Sequence, residues 1–170
     1  MDLSDTLYIA HLRQDFENLS WVHKLHEDGV KWILLDVSET EFYEIHPEKH
    51  FLAFLHEKAD QLKMICDALE MKFSVSEALE VALFSGADGI HFREREGLEQ
   101  IRLQHPDLII GLSLSEELDA AVLINCTESV DYLLVGKSLP GNMEIVSRTK
   151  LDCAVYVQDK SPGCWKRIRN

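Results

Sequence analysis

The chain has 170 residues, 46% hydrophobic and 28% charged, with a formal net charge of −13. That is one domain, residues 1–170, with too much apolar content for a disordered chain. The negative balance argues against nucleic acid or an anionic membrane as partner, since both need a basic footprint; a small phosphorylated ligand needs only a few N–H groups and one cation. Cys66, Cys126, Cys153 and Cys164 show no CxxC or CxxH spacing, and the first three lie in apolar runs. They are expected to be reduced, largely buried thiols of a cytoplasmic protein. The opening Met1–Thr6 is acidic and polar, unlike a signal peptide, and no apolar run approaches the ~20 residues of a membrane span.

Leu7–Ala10 is predicted as the first strand. Asn18 caps a short amphipathic helix that Gly29 ends. Lys31–Val37 is a second strand, apolar through its middle as a strand buried on both faces should be. Pro47 opens a long helix, with Phe51, Leu55, Leu62, Cys66 and Leu69 at helical spacing. Met71–Val75 is a third strand, Glu77–Ser85 a helix, and Gly89–Phe92 a fourth strand. A helix over Glu94–Gln104 stops at Pro106 and leads to a fifth strand, Leu108–Ser113. Glu116–Asn125 is helical, Tyr132–Val135 is a sixth strand and Cys153–Val157 a seventh. A turn at Ser161-Pro162-Gly163 precedes a short basic tail, Cys164–Arg169.

The pattern of helix, Asp-bearing turn and short apolar strand occurs at Gly86-Ala87-Asp88-Gly89-Ile90-His91-Phe92 and again at Ser129–Gly136. It is the half-unit of a parallel βα protein. The fold class is therefore α/β, a TIM-barrel-like (β/α) parallel barrel. At about seven strands it is expected to be incomplete, since eight-unit barrels typically run to ~250 residues. Unpaired edges on the first and seventh strands would then favour a homodimer joined through the seventh strand or the tail; the alternative is that the tail folds back and plugs the gap within one chain. In such barrels the chemistry sits on the loops that follow the strands.

These residues resemble the thiamin phosphate synthase family and its thiazole tautomerase (TenI-like) relatives. Leu7-Tyr8-Ile9 with Arg13 is similar to the family's opening strand, Leu-Tyr-Leu-Ile followed by Asp-Arg. Gly86–His91 is similar to its Gly-Ala-Asp-Gly-Val-His, Ile109–Ser113 to Ile-Ile-Gly-Val-Ser, and Asp131–Gly136 to Asp-Tyr-Val-Gly-Val-Gly, with Pro140 following. The resemblance spans roughly Leu7 to Asp159 and implies a barrel that binds thiamin intermediates. The family's diphosphate clamp, Gln-Leu-Arg-x-Lys, is matched here by Leu34, Leu35, Asp36, Val37 and Ser38, so two cations have become an acid and a hydroxyl. The family's Asn-Asp aligns with Ser76-Glu77, and its second magnesium-binding Asp falls near Glu96. Magnesium is thus the one cofactor the resemblance implies, with Glu77 and Glu96 as its ligands. The Thr-x-Thr-Lys phosphate clamp is missing from Pro140–Glu144, and Ser113-Leu114-Ser115 lacks the tautomerase His.

Each candidate also has a structural reading. Glu77 completes a capping box from Ser74, and Glu96 suits the first turn of a helix. Asp36 either points into the barrel mouth as an acid–base group or pairs with Arg13 or Arg93. His11 ends the first strand and faces the same mouth, whereas His91 lies inside a strand and is expected to be packed. Lys137, at the end of the sixth strand, is where some class I aldolase barrels keep a Schiff-base amine; a surface or ion-paired lysine is the plainer reading. The expected site thus has Lys137, His11 and Asp36 as catalytic candidates and Arg13, Ser38, Ser76, Arg93 and Ser113 as ligand-binding ones. The leading expectation is a family member that binds a small heterocycle, with or without phosphate, but lacks most residues for the standard synthase reaction. A lyase or isomerase using Lys137 and a non-catalytic interaction protein are the alternatives.

Overall fold

The computed structural model describes residues 3–12, 14, 16–114, 120–136, 140–149, 151–160 and 162–168. Strands β1 (Thr6–Ala10), β2 (Trp32–Leu35), β3 (Lys72–Ser76), β4 (Gly89–Phe92), β5 (Ile109–Leu114), β6 (Tyr132–Val135) and β7 (Ala154–Gln158) pair in sequence order, each parallel to the next. Helices α1 (Ser20–Glu27), α2 (Glu39–Ile45), α3 (Phe51–Ala68), α4 (Leu79–Ser85), α5 (Leu98–Gln104), α6 (Ala120–Thr127) and α7 (Pro140–Arg148) lie between them.

The barrel is closed, which corrects the expectation of a seven-stranded, incomplete one. The tail forms an eighth strand, β8 (Cys164–Ile168), antiparallel to both β7 and β1. The short turn dictates this direction. A few residues join antiparallel neighbours, whereas a parallel return needs a crossover of a dozen or more. Gly163 takes the left-handed conformation at φ +77° in that turn, and its carbonyl accepts the Ile9 N–H at 2.8 Å. The tail thus fills the gap within one chain, the alternative to a homodimer, and the edges of β1 and β7 are both paired.

Alternation along each strand divides the core. Trp32 and Leu34 point into the barrel with Leu7, Ile9, Tyr132, Leu134 and Tyr156. Ile33 and Leu35 face the helices with Phe73, Val75, Ile90, Leu133 and Val155. Every residue of β2 and β6 is therefore buried. The two Asp-bearing turns staple neighbouring strands: Asp88 Oδ2 accepts the Phe73 N–H at 2.9 Å, and Asp131 Oδ2 accepts that of Ile110 at 2.8 Å. Three rings block the barrel at mid-height, with centroids 4.8 Å apart for Trp32–Tyr132, 5.7 Å for Tyr132–Tyr156 and 6.0 Å for Trp32–Tyr156. Each ring has its polar tip satisfied. Trp32 Nε1 donates to Ser74 Oγ at 2.9 Å, the Tyr132 hydroxyl meets His91, and the Tyr156 hydroxyl donates to the Ser4 carbonyl.

The plug needs glycine beneath it. Gly111 is paired with Tyr132, and a Cβ on it would lie 2.0 Å from the Tyr132 ring. Among the described residues, no helix is long and apolar enough to cross a membrane, and all four cysteines are free thiols. Burial pushes the Cys66 and Cys153 thiols up to about 12, so both are inert at neutral pH.

Candidate functional site at the carboxyl end of the barrel

Above the aromatic plug, β3, β4 and β5 contribute Ser76, His91 and Ser113. His91 is 2% exposed. Its Nε2 lies 2.8 Å from Ser113 Oγ and its Nδ1 3.1 Å from the Tyr132 hydroxyl, and the two rings stack with centroids 5.5 Å apart. Burial, with the Arg93 charge second, pushes the imidazole down to about 3. At neutral pH it is an uncharged ring with one donor and one acceptor, matched by hydroxyls that either give or take a proton. Its chemistry is directional hydrogen bonding, not proton uptake. Ser76 is 5% exposed, and its hydroxyl is the one buried side-chain polar atom among the described residues that has no hydrogen-bond partner. Such an atom is costly unless something else binds it.

Charged groups sit over this layer. Asp36 follows β2; its Oδ1 accepts from Arg93 Nη2 at 2.5 Å, and its Oδ2 lies 3.9 Å from His11 Nδ1. The pairing with Arg93, one of the two readings of Asp36, is thus present, and His11 stands beside it. Arg93 is held a second way, since its backbone N–H donates to Glu77 Oε1 at 2.6 Å.

The remaining candidates are placed differently. Glu77 takes a left-handed φ of +63°, and α4 is capped at Ala78. The capping box expected from Ser74 to Glu77 does not form, because Ser74 and Ser76 belong to β3. Glu96 precedes α5, which starts at Leu98, so it is not in that helix's first turn; its side chain is exposed, with one oxygen 3.9 Å from Arg95. Among the described residues, no three His, Cys, Asp or Glu side chains gather as a metal site. Ser38 caps α2, its hydroxyl accepting the Glu41 N–H at 3.5 Å. Lys137 and Arg13 lie outside the described residues. Sequence reasoning missed Tyr132 as part of the site. Within Tyr132–Val135, apolar throughout, nothing indicates which face turns inward; a large ring opposite Gly111 was the available signal.

A family profile described as thiamine monophosphate synthase matches residues 7–154. The chain belongs to that family. Two curated relatives illustrate the likeness. A thiamine-phosphate synthase of Oceanobacillus iheyensis is 34% identical over 96 residues, covering 55% of this chain and 45% of the relative. Thiamine-phosphate synthase 1 of Streptococcus pneumoniae is 36% identical over 81 residues, covering 47% and 38% respectively. The chain thus spans less than half the length of these relatives. A solved structure of thiamine phosphate pyrophosphorylase from Pyrococcus furiosus superposes with a TM-score of 0.66 at 21% identity, covering 91% of this chain and 75% of that one. That likeness establishes the barrel fold.

Proposed function

We propose that this chain binds a small heterocycle of thiamin metabolism, with or without a phosphate group, at the carboxyl end of its barrel. We propose further that it does not run the standard coupling of a pyrimidine diphosphate with a thiazole phosphate. One observation carries the second half. At the two positions where the resemblance places cations to grip a diphosphate, this chain has Asp36, paired with Arg93, and Ser38, which caps a helix. A carboxylate there repels a polyanion, and the nearby guanidinium is already committed to it.

The binding half is supported by the layer beneath. The Ser76 hydroxyl lacks a partner among the described residues, and the Ser113 hydroxyl, fixed by His91, keeps hydrogen-bonding capacity in the same layer. This combination recognises ring nitrogens and exocyclic amines better than charge. Glu77 and Glu96 do not fit a magnesium ion, because the Glu77 carboxylate accepts a backbone N–H and Glu96 lies beside Arg95.

Two measurements test the proposal. A steady-state assay with both substrates and magnesium should give no turnover above background; robust turnover would show that other groups replaced the clamp. A thermal-shift screen with thiamin, its pyrimidine and thiazole halves and their phosphates should find at least one stabiliser. At about a hundred times its Kd, a ligand adds ~2.7 kcal/mol. A flat screen would leave the chain as a non-catalytic interaction protein.

A further inference from the structure

The opposite end of the barrel holds a cavity of about 990 Å³. Its apolar lining includes Leu3, Leu151 and Ala154, and its cations are Lys31, Lys72 and Arg167. These come from three strand ends: just before β2, the first residue of β3, and near the last of β8. Arg167 is there because β8 runs antiparallel; a parallel eighth strand would carry the end of its sequence to the other face. Lys72 lies two residues before Ser74, whose hydroxyl receives the Trp32 indole inside the barrel, so alternation aims Lys72 inward too. Its backbone N–H donates to the Lys31 carbonyl at 2.9 Å, but its half-buried side chain has no hydrogen-bond or ion-pair partner among the described residues. It also lines a second hollow of about 560 Å³ beneath β3 to β5. Arg167 Nη1 donates to the Leu3 carbonyl at 3.2 Å, which orients the guanidinium and leaves donors over. Lys31 Nζ sits 2.9 Å from His26 Nε2.

Two acids share the lining, Asp5 and Glu70. Asp5 is already engaged, and Glu70 is exposed. Three cations against two acids leave a positive lining in a chain whose net charge is −13. A half-buried amine and an oriented guanidinium beside apolar lining residues form a receptor for an oxyanion on a small organic body.

We propose that this amino-end cavity binds a small phosphate monoester, with Lys72 and Arg167 gripping the phosphate. The proposal is independent of the reading of the carboxyl end. It is tested on the ¹⁵N-labelled full chain titrated with inorganic phosphate and with glycerol 3-phosphate, against sodium chloride at matched ionic strength. Saturable shifts are expected at the Lys72 and Arg167 amides and not at those of His91 and Ser113, with glycerol 3-phosphate binding more tightly because its carbon body covers apolar lining. Lys72→Gln, which keeps most of the aliphatic stem, should weaken binding about tenfold, and Arg167→Gln similarly. Equal shifts with chloride, shifts confined to the carboxyl end, or unchanged affinity in both variants would overturn it.

Discussion

The two ends of the barrel handle their polar groups in opposite ways. At the carboxyl end, His91, Ser113 and Tyr132 satisfy one another in the interior, and the Asp36–Arg93 pair sits above them. At the amino end, cations stand around an open cavity and the Lys72 ammonium has no partner among the described residues. The aromatic plug of Trp32, Tyr132 and Tyr156 keeps the two apart. Groups at the first end are coupled to the fold, so changes there register as stability. The Lys72 ammonium at the second is held by little, so changes there register as altered response to ligand.

That contrast can be broken at graded points. The largest expected effect is at Gly111→Ala, where the added methyl collides with the Tyr132 ring. Overpacking of this severity costs about 3 kcal/mol or more, read from the urea midpoint. Next comes pH. His91 is held below its ordinary value of 6.5, so the folded state stays neutral while the unfolded chain takes up a proton as pH falls. Stability is therefore lost on acidification through the window from 6.5 towards 3, roughly 2–3 kcal/mol by pH 4.5. His91→Asn should remove that part of the acid limb; an unchanged limb would mean the imidazole is not buried neutral. Tyr132→Phe keeps the ring and deletes the hydroxyl facing His91 Nδ1, for about 1–2 kcal/mol. Asp36→Asn breaks a pair whose arginine is 46% exposed and should cost less than about 1 kcal/mol. Smallest of all, Lys72→Gln should change stability by no more than about 0.5 kcal/mol. If Lys72→Gln destabilised the chain as much as Tyr132→Phe, the contrast between the ends would fail.

The parallel strands were legible because each is a short apolar run bounded by turn residues, and two carry the same Asp-bearing turn. β8 was not, because its Lys166 and Arg167 interrupt a run of only five residues and make it look like a tail. α2 was also hidden, although Ser38 followed by Glu41 at three residues is a helix-start pattern. The same pattern at Ser74–Glu77 misled, because burial in β3 overrides local capping preference. Asp36 and Arg93 were legible as a possible pair from their places after strands. The mutual contacts of His91, Ser113 and Tyr132 were not, because they depend on register across three strands, which the linear order does not state. The Ser76 hydroxyl was recognised only by its aligned position, and its lack of a partner emerges only from packing.

The reversed eighth strand also has a consequence for the order of folding. β7 and β8 are joined by a few residues and form a hairpin whose pairing closes a small loop. The other side of β8 pairs Thr6 with Lys166 and Leu7 with Trp165, contacts between opposite ends of the chain. Closing so long a loop is slow, and its entropy must be offset by contacts already made elsewhere. The seam between β1 and β8 should therefore zip last, onto a preassembled hairpin.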